Sequence, residues 1–453
     1  MKCIEDEIPF EVPEGWEWTR LKSITQFIRN GASIKQYKDA KGFPITRIET
    51  ISTGTIDRNR FGYANIFEID KYEKYVMADY DILMSHINSP VHLGKCALYR
   101  KENNESIIHG MNLLAIRTVF PELAEVLCIV FRSKYFKDFV WDNMKQAVNQ
   151  ASITTTSISG LLFPTPPKEE QQRIIEMYRK INESIAEIEG KNDALKNMIL
   201  LTKSKILDLA IKGHLVPQNP DDEPASVLLK RIRAEKEELI KQGKIKRDKK
   251  ESIIFKGEDN SYYLQSGGLV ESLRDWGFEE LPDTWSICCL GELCDYGNCL
   301  NVDTANIDDS AWMLDLEDIE KDTGIVLQKI RKAERNAAST KHLFHKGQVL
   351  YSKLRPYLNK VVLADEDGYC TSEILPLEFE RNILPQYARY YLMSPAFLGY
   401  ANKCSYGVKM PRLGTADGKK AVIPIPPLNE QVRIVATIEQ SFAQLNSIVN
   451  NLS

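Results

Sequence analysis

The sequence predicts an α+β protein in which two similar mixed α/β domains are separated by long antiparallel coiled-coil spacer helices. Three observations carry that expectation. Pro13-Glu14-Gly15-Trp16 followed by Leu21 returns as Pro282-Asp283-Thr284-Trp285 followed by Leu290, with the tryptophans 269 positions apart. The two copies also close alike. Phe163-Pro164-Thr165-Pro166-Pro167, Glu170-Gln171 and Arg173-Ile174 reappear as Ile423-Pro424-Ile425-Pro426-Pro427, Glu430-Gln431 and Arg433-Ile434, at an offset of 260. Matched ends with a small drift between them mean a duplicated domain. The third observation is a seam behind the first copy. Ile174, Tyr178, Ile181, Ile185, Ile188, Asn192, Leu195, Ile199, Thr202, Ile206 and Leu209 step alternately by four and three, the spacing of a helix that packs on another helix.

The domains divide as residues 1–167, 168–270, 271–427 and 428–453. In the first, Gly42 to Ile48 and Tyr80 to Ser85 have strand-like apolar spacing, and Thr53-Gly54 marks a turn. Glu122 to Ala147 repeats apolar and aromatic residues at helical intervals. The prolines from Pro164 to Pro167 end that domain, and the seam follows as a helix of about 60 Å at about 1.5 Å per residue. Gly213 and Pro217 stop it. Val227 to Gln242 alternates basic and acidic residues as a solvated helix does. Residues 243–270 are polar and uneven, and read as an exposed connector. In the second domain Tyr351 to Arg355 stands where Met84 to Asn88 stood, and Pro385 to Leu398 is the matching helix. Ile434, Ile438, Phe442, Leu445 and Val449 then restart the seam over a shorter helix of about 35 Å. Antiparallel pairing of the two helices leaves part of the first seam for another protein, a symmetry mate or the body of a domain.

A chain of 453 residues with 43% hydrophobic and 27% charged residues fits a soluble globular protein. The acidic start, Glu5-Asp6-Glu7, is unlike a secretory leader, and no 18-residue apolar run exists. A cytoplasmic location and reduced thiols are expected. Among nine cysteines, only Cys288, Cys289, Cys294 and Cys299 cluster, without the paired spacing of structural zinc. No phosphate loop, zinc-protease helix, serine-nucleophile elbow or deaminase motif is found. His86, His92 and His109 have no histidine counterparts in the second copy, which argues against a metal or acid–base site shared by both. Two copies that keep their frame and change their side chains suit recognition better than catalysis.

The net charge of −4 excludes only a uniformly basic surface. Lys230 to Lys250 holds ten Lys or Arg against four acids. The loops offer cations and polar groups able to meet phosphates and base edges: Ser33, Lys35, Arg47, His86 and Asn88 in the first copy, and Lys329, Arg331, Lys353, Arg355, Tyr357, Lys409 and Arg412 in the second.

The run from Leu200 to Lys236, containing Gly213-His214-Leu215-Val216-Pro217 and Asp221-Asp222-Glu223-Pro224, resembles the central region of the specificity (S) subunits of type I restriction-modification enzymes. The lead-in from Ile8 to Trp18 and both proline-rich exits match that family too. The resemblance implies two target recognition domains, each reading half of a gapped duplex DNA sequence, with spacer helices that set the gap. It implies two methyltransferase (M) subunits using S-adenosylmethionine, and restriction (R) subunits using ATP and Mg. By the same resemblance this chain is non-catalytic and holds no cofactor or metal. Helix packing falls on Ile181, Ile185, Ile188, Leu195, Ile199, Ile206, Leu209, Ile434, Ile438 and Leu445. DNA contact falls on the loop residues named above, with Arg355 foremost because it follows a strand and could grip guanine bidentately. The shortness of the second helix departs from the family, through either a branch that manages with less or a truncated C-terminus with weaker M docking. Self-association stays open. Two other readings compete: a coiled-coil adaptor whose repeats bind proteins, and an enzyme built around His86, His92 and His109.

Overall fold

A computed structural model describes residues 4–37, 41–147, 150–244, 252–259, 261–266, 268–278, 280–335, 339–379 and 383–451. The chain forms two compact units, 1–190 and 191–453.

The repeated lead-in and exit are the two sides of one clamp. In the first unit Glu17–Arg20 pairs antiparallel with Leu162–Thr165. The Trp16 indole N–H donates to the Glu170 carboxylate at 3.0 Å, and the Gln171 amide donates to the Pro166 carbonyl at 2.8 Å. Leu21 N–H closes on the Leu161 carbonyl at 2.8 Å. In the second unit Ser286–Cys289 pairs with Val422–Ile425 in the same sense. Trp285 donates to Glu430 at 3.0 Å, Gln431 to the Pro426 carbonyl at 3.1 Å, and Leu290 N–H to the Ala421 carbonyl at 2.7 Å. The prolines explain the motif. They end the strand before the helix, and the Gln171 and Gln431 amides reach back to their carbonyls across that turn.

Inside the clamps the units differ. The first holds a four-stranded antiparallel sheet ordered Thr25–Asn30, Leu113–Thr118, Ile82–Ser85, Cys96–Leu98. The second holds a five-stranded sheet through Lys341–Phe344, Gly368–Thr371 and Trp312–Leu314, and a three-stranded sheet centred on Val349–Ser352. Two helices follow the sheet in each. Their apolar faces fill the core with Leu123, Leu127 and Phe136 in one, and Tyr387, Tyr391 and Phe397 in the other.

Several expected elements are corrected. The helical stretches expected near Glu122 to Ala147 are Pro121–Val130 and Lys134–Asn143, parted where the Ser133 hydroxyl caps a new start; Lys145–Ala147, expected within them, is a strand. Pro385–Leu392 likewise breaks from Pro395–Lys403 at Ser394, whose hydroxyl accepts from Phe397 N–H. Only Pro44–Ile45 of the Gly42 to Ile48 stretch is strand, since Ile48–Ile51 winds into a 3₁₀ turn stapled by Arg47 N–H to Thr50 Oγ1 at 2.9 Å. The Ala225–Lys241 helix is not solvated throughout: Ala225, Leu228, Leu229 and Ile232 are buried in the second unit's core. Residues 243–270 are not merely a connector. Ser252–Lys256, Tyr262–Ser266 and Leu269–Ser272 form a three-stranded sheet that buries Leu264. The basic residues of the 245–250 stretch lie outside the described residues.

The expected long helix is one element, Lys168–Ile211, of 44 residues and so about 66 Å long. Gly213 ends it in the left-handed region (φ +76°), with His214 N–H on the Leu209 carbonyl at 2.9 Å. In the second unit its last turns run antiparallel to Leu428–Asn450. Lys203 donates to Asn446 at 2.6 Å, while beyond the helix end Gln218 donates to Glu430 at 2.6 Å.

Candidate nucleic-acid interface

Each unit ends a central strand in a partly buried crossing, and on that crossing sits a small hairpin. In the first unit Ile82–Ser85 leads through His86 to Ile87–Asn88. That short strand pairs with Gln150–Ser152, which pairs with Lys145–Ala147. Ile153 N–H donates to the His86 carbonyl at 3.0 Å. In the second unit Val349–Ser352 leads to Lys353, Leu354 and Arg355, and the hairpin is Ser405–Tyr406 with Arg412–Leu413. Leu413 N–H donates to the Lys353 carbonyl at 3.0 Å, Arg355 N–H donates to the Pro411 carbonyl at 2.7 Å, and Leu354 bridges Arg412. His86 and Lys353 therefore hold the same place in the two units, as do Asn88 and Arg355.

The second-unit site is the more basic. It gathers Lys353, Arg355, Lys409 and Arg412 around one hairpin. Arg355 has left-handed backbone (φ +50°) before Pro356, and Asn359, four residues after Arg355, repeats that conformation (φ +49°). Such geometry costs about 1–3 kcal/mol in a non-glycine residue and persists only where the surroundings hold it. Here the Pro411 carbonyl and the Pro356–Leu358 turn hold it. The Arg355 Nε is buried without a partner among the described residues. Arg412 is forked on Glu373 at 2.9 Å, and that carboxylate raises the guanidinium pKa. Lys409 is exposed and makes no ion pair among the described residues. Tyr357 is exposed beside them. Lys329 and Arg331 are placed elsewhere, on Asp365 at 2.8 Å and Glu366 at 3.0 Å respectively.

The first-unit residues fall into two groups. Asn88 lies on the crossing strand that pairs with the hairpin, and its amide donates to Ser85 Oγ at 3.2 Å. His86 is buried, its burial pushes the imidazole pKa down, and its Nδ1 lacks a partner among the described residues. Ser33 and Lys35 are exposed on the segment after Ala32, and Arg47 stands near Gln36 across Gly62. Lys35 lies 5.4 Å from the Tyr37 ring centroid, and Arg47 is 3.5 Å from Glu49.

On the helices, Ile199, Ile434 and Ile438 are buried within the second unit, and Leu195, Ile206, Leu209 and Leu445 are half-buried. Ile181, Ile185 and Ile188 stand 46–57% exposed. Met177, one turn before Ile181, is exposed on the same face.

Among the described residues no group of three His, Cys, Asp or Glu could hold a metal. His109 is buried against the Leu113 carbonyl at 2.8 Å, and Cys288, Cys289 and Cys294 are core residues, with burial raising the thiol pKa of Cys288 and Cys289. No described helix is long and apolar enough to cross a membrane.

Sequence reasoning missed the middle of the second hairpin, Tyr406, Val408 and Met410, and the acid Glu373. Gly407 and Pro411, which bracket an otherwise apolar pair, were the available signal.

Comparison with known proteins gives a consistent picture. The family described as "Type I restriction modification DNA specificity domain" matches residues 13–197 and 282–453. The putative type I restriction enzyme MjaX specificity subunit of Methanocaldococcus jannaschii is 39% identical over 47% of this chain and 51% of its own length, so the match spans about half of that relative. The type I restriction enzyme EcoEI specificity subunit of Escherichia coli is 23% identical over 100% of this chain and 82% of the relative. A solved chain described under "Structural basis underlying complex assembly and conformational transition of the type I R-M system" shares the fold, with a TM-score of 0.59 and 17% identity, over 98% of this chain and 94% of that one.

Proposed function

We propose, from the premise that this chain belongs to the type I restriction modification DNA specificity domain family, that it is the non-catalytic subunit that reads a bipartite, gapped duplex DNA target. Residues 1–167 and 271–427 read DNA, and 168–270 and 428–453 are the spacer segments. Two methyltransferase subunits bind the helices and bring S-adenosylmethionine. Restriction subunits join them with ATP and Mg. The exposed Ile181, Ile185 and Ile188 are the docking face on this chain.

One observation carries the reading: the same hairpin docks on the same strand crossing in both units, with different side chains on each. A shared frame presents the reader, and changed residues change what is read. In the second unit Lys353 and Lys409 supply cations for phosphates, and Arg355 supplies a guanidinium of the kind that pairs with a base edge. The work done is positional. An adenine must leave its stack before methylation, at a cost of a few kcal/mol, and sequence-specific binding holds the duplex while the methyltransferase extracts it.

The test is a mobility-shift titration of the assembled methyltransferase complex on random gapped duplexes at several salt concentrations. One bipartite motif is expected. Lys353→Ala should weaken binding to all sequences and lower the salt slope by about 1. Arg355→Ala should cost about 1–3 kcal/mol and relax preference at one base pair. A wild-type complex without sequence preference overturns the reading.

A further inference from the structure

The second-unit hairpin carries an apolar tip that its charges do not explain. Val408 is 103% exposed, and Tyr406 and Met410 are exposed on either side of it. Leaving an aliphatic side chain wholly in water forgoes the burial that normally holds such residues inside. A lone exposed valine is ordinary, but this one stands on a firmly held support. Gly407 turns the chain with φ +103°, a conformation other residues rarely adopt. Tyr406 Oη bonds Asp417, Ser405 Oγ donates to the Ala401 carbonyl at 2.6 Å, and Arg412 forks on Glu373. The Pro411 carbonyl is fixed by Arg355 N–H. The tip is thus presented by anchored backbone. Around it stand four cations, Lys353, Arg355, Lys409 and Arg412, against two acids, Glu373 and Asp417.

We propose that Val408, supported by Met410, is a specificity-determining residue that reads the C5-methyl group of a thymine in the major groove. The inference rests on the DNA-reading function above and names what this part of the site recognises. A two-stranded ribbon is an element that the major groove admits, at about 12 Å wide. The thymine methyl is the apolar feature of that groove, and apolar side chains are its complement. The surplus of cations matches the phosphates on either side. A protein partner would be met by the same apolar atoms, but the cationic surround favours a polyanion.

The experiment uses the assembled complex on its own bipartite target. Each thymine of the half-site read by the second unit is replaced in turn by 2′-deoxyuridine, which removes only the methyl. At one position affinity is expected to fall about fourfold, on the scale of burying one methyl-sized group. Val408→Ser should lose about the same factor on the thymine duplex and less than about twofold further on the deoxyuridine duplex, while Val408→Ile restores discrimination. Val408 is fully exposed, so neither variant threatens folding. If no deoxyuridine position matters, or that half-site holds no thymine, the inference is wrong. It is equally wrong if Val408→Ser weakens both duplexes alike, as a wedge between base pairs would. Sequence-specific binding that persists in those cases leaves the DNA-reading function standing. Wild-type binding without sequence preference removes both.

Discussion

Trp16 and Trp285 make the same bond in unequal surroundings. Each indole donates to a carboxylate at 3.0 Å, but Glu430 is almost wholly buried and Glu170 only partly. Trp285→Phe leaves a buried acceptor with Gln218 as its remaining side-chain donor and should destabilise by about 2 kcal/mol, against about 1 kcal/mol for Trp16→Phe. Equal losses in urea unfolding would contradict that assignment. His109 offers a pH test. Burial holds its pKa at about 4, below the ordinary 6.5. The unfolded chain therefore takes up a proton at this site that the folded chain refuses. Its contribution is present above pH 6.5 and lost as pH falls towards 4, by at most about 3 kcal/mol. Unfolding at pH 7 and pH 5 should show a larger drop for the native chain than for His109→Gln. The spacing of Trp16, Glu170 and Gln171 was legible in the sequence as a repeat. Its physical content was not, because the partners lie more than 150 residues apart.

The long helix was the most legible element, since a periodicity sustained over many turns has few competing explanations. What its seam touches was not legible. The pattern treats Ile185 and Ile199 alike, yet Ile199 is buried and Ile185 is 46% exposed. Ile185→Glu should change folding stability by less than about 0.5 kcal/mol and weaken co-purification with the methyltransferase subunits. Normal assembly of that variant would remove the docking face from this part of the helix. The helix end gives a sharper structural test. A Cβ on Gly213 would lie 2.5 Å from Pro282 Cγ, at φ +76°, so Gly213→Ala should cost more than about 1 kcal/mol in thermal or urea unfolding. The elements the sequence concealed are short ones. The Ser252–Ser272 sheet buries Leu264 with little alternation to announce it, and the second-unit hairpin has strands of two residues each. Neither is long enough to raise a periodic signal.

At the scale of the whole molecule, duplication explains both what was readable and what was not. The clamps repeat because each must join a sheet to a helix through a proline-rich turn, and that task keeps the same Trp, Glu and Gln contacts at the two ends of each copy. The interiors carry different sheets, so beyond the strand crossing and the paired helices the first copy did not predict the second. The candidate site shares this division. Its frame is duplicated, while Lys353 replaces His86 and Arg355 replaces Asn88. The chain's central role is to choose a DNA sequence for enzymes it does not itself contain. The most direct test is sequencing of adenine methylation in cells that express this chain with its methyltransferase subunits. One gapped motif is predicted for the native chain, with degeneracy confined to one half of that motif when Lys353 and Arg355 are both changed to alanine. Methylation without a motif, or an unchanged motif in the double variant, would contradict the account.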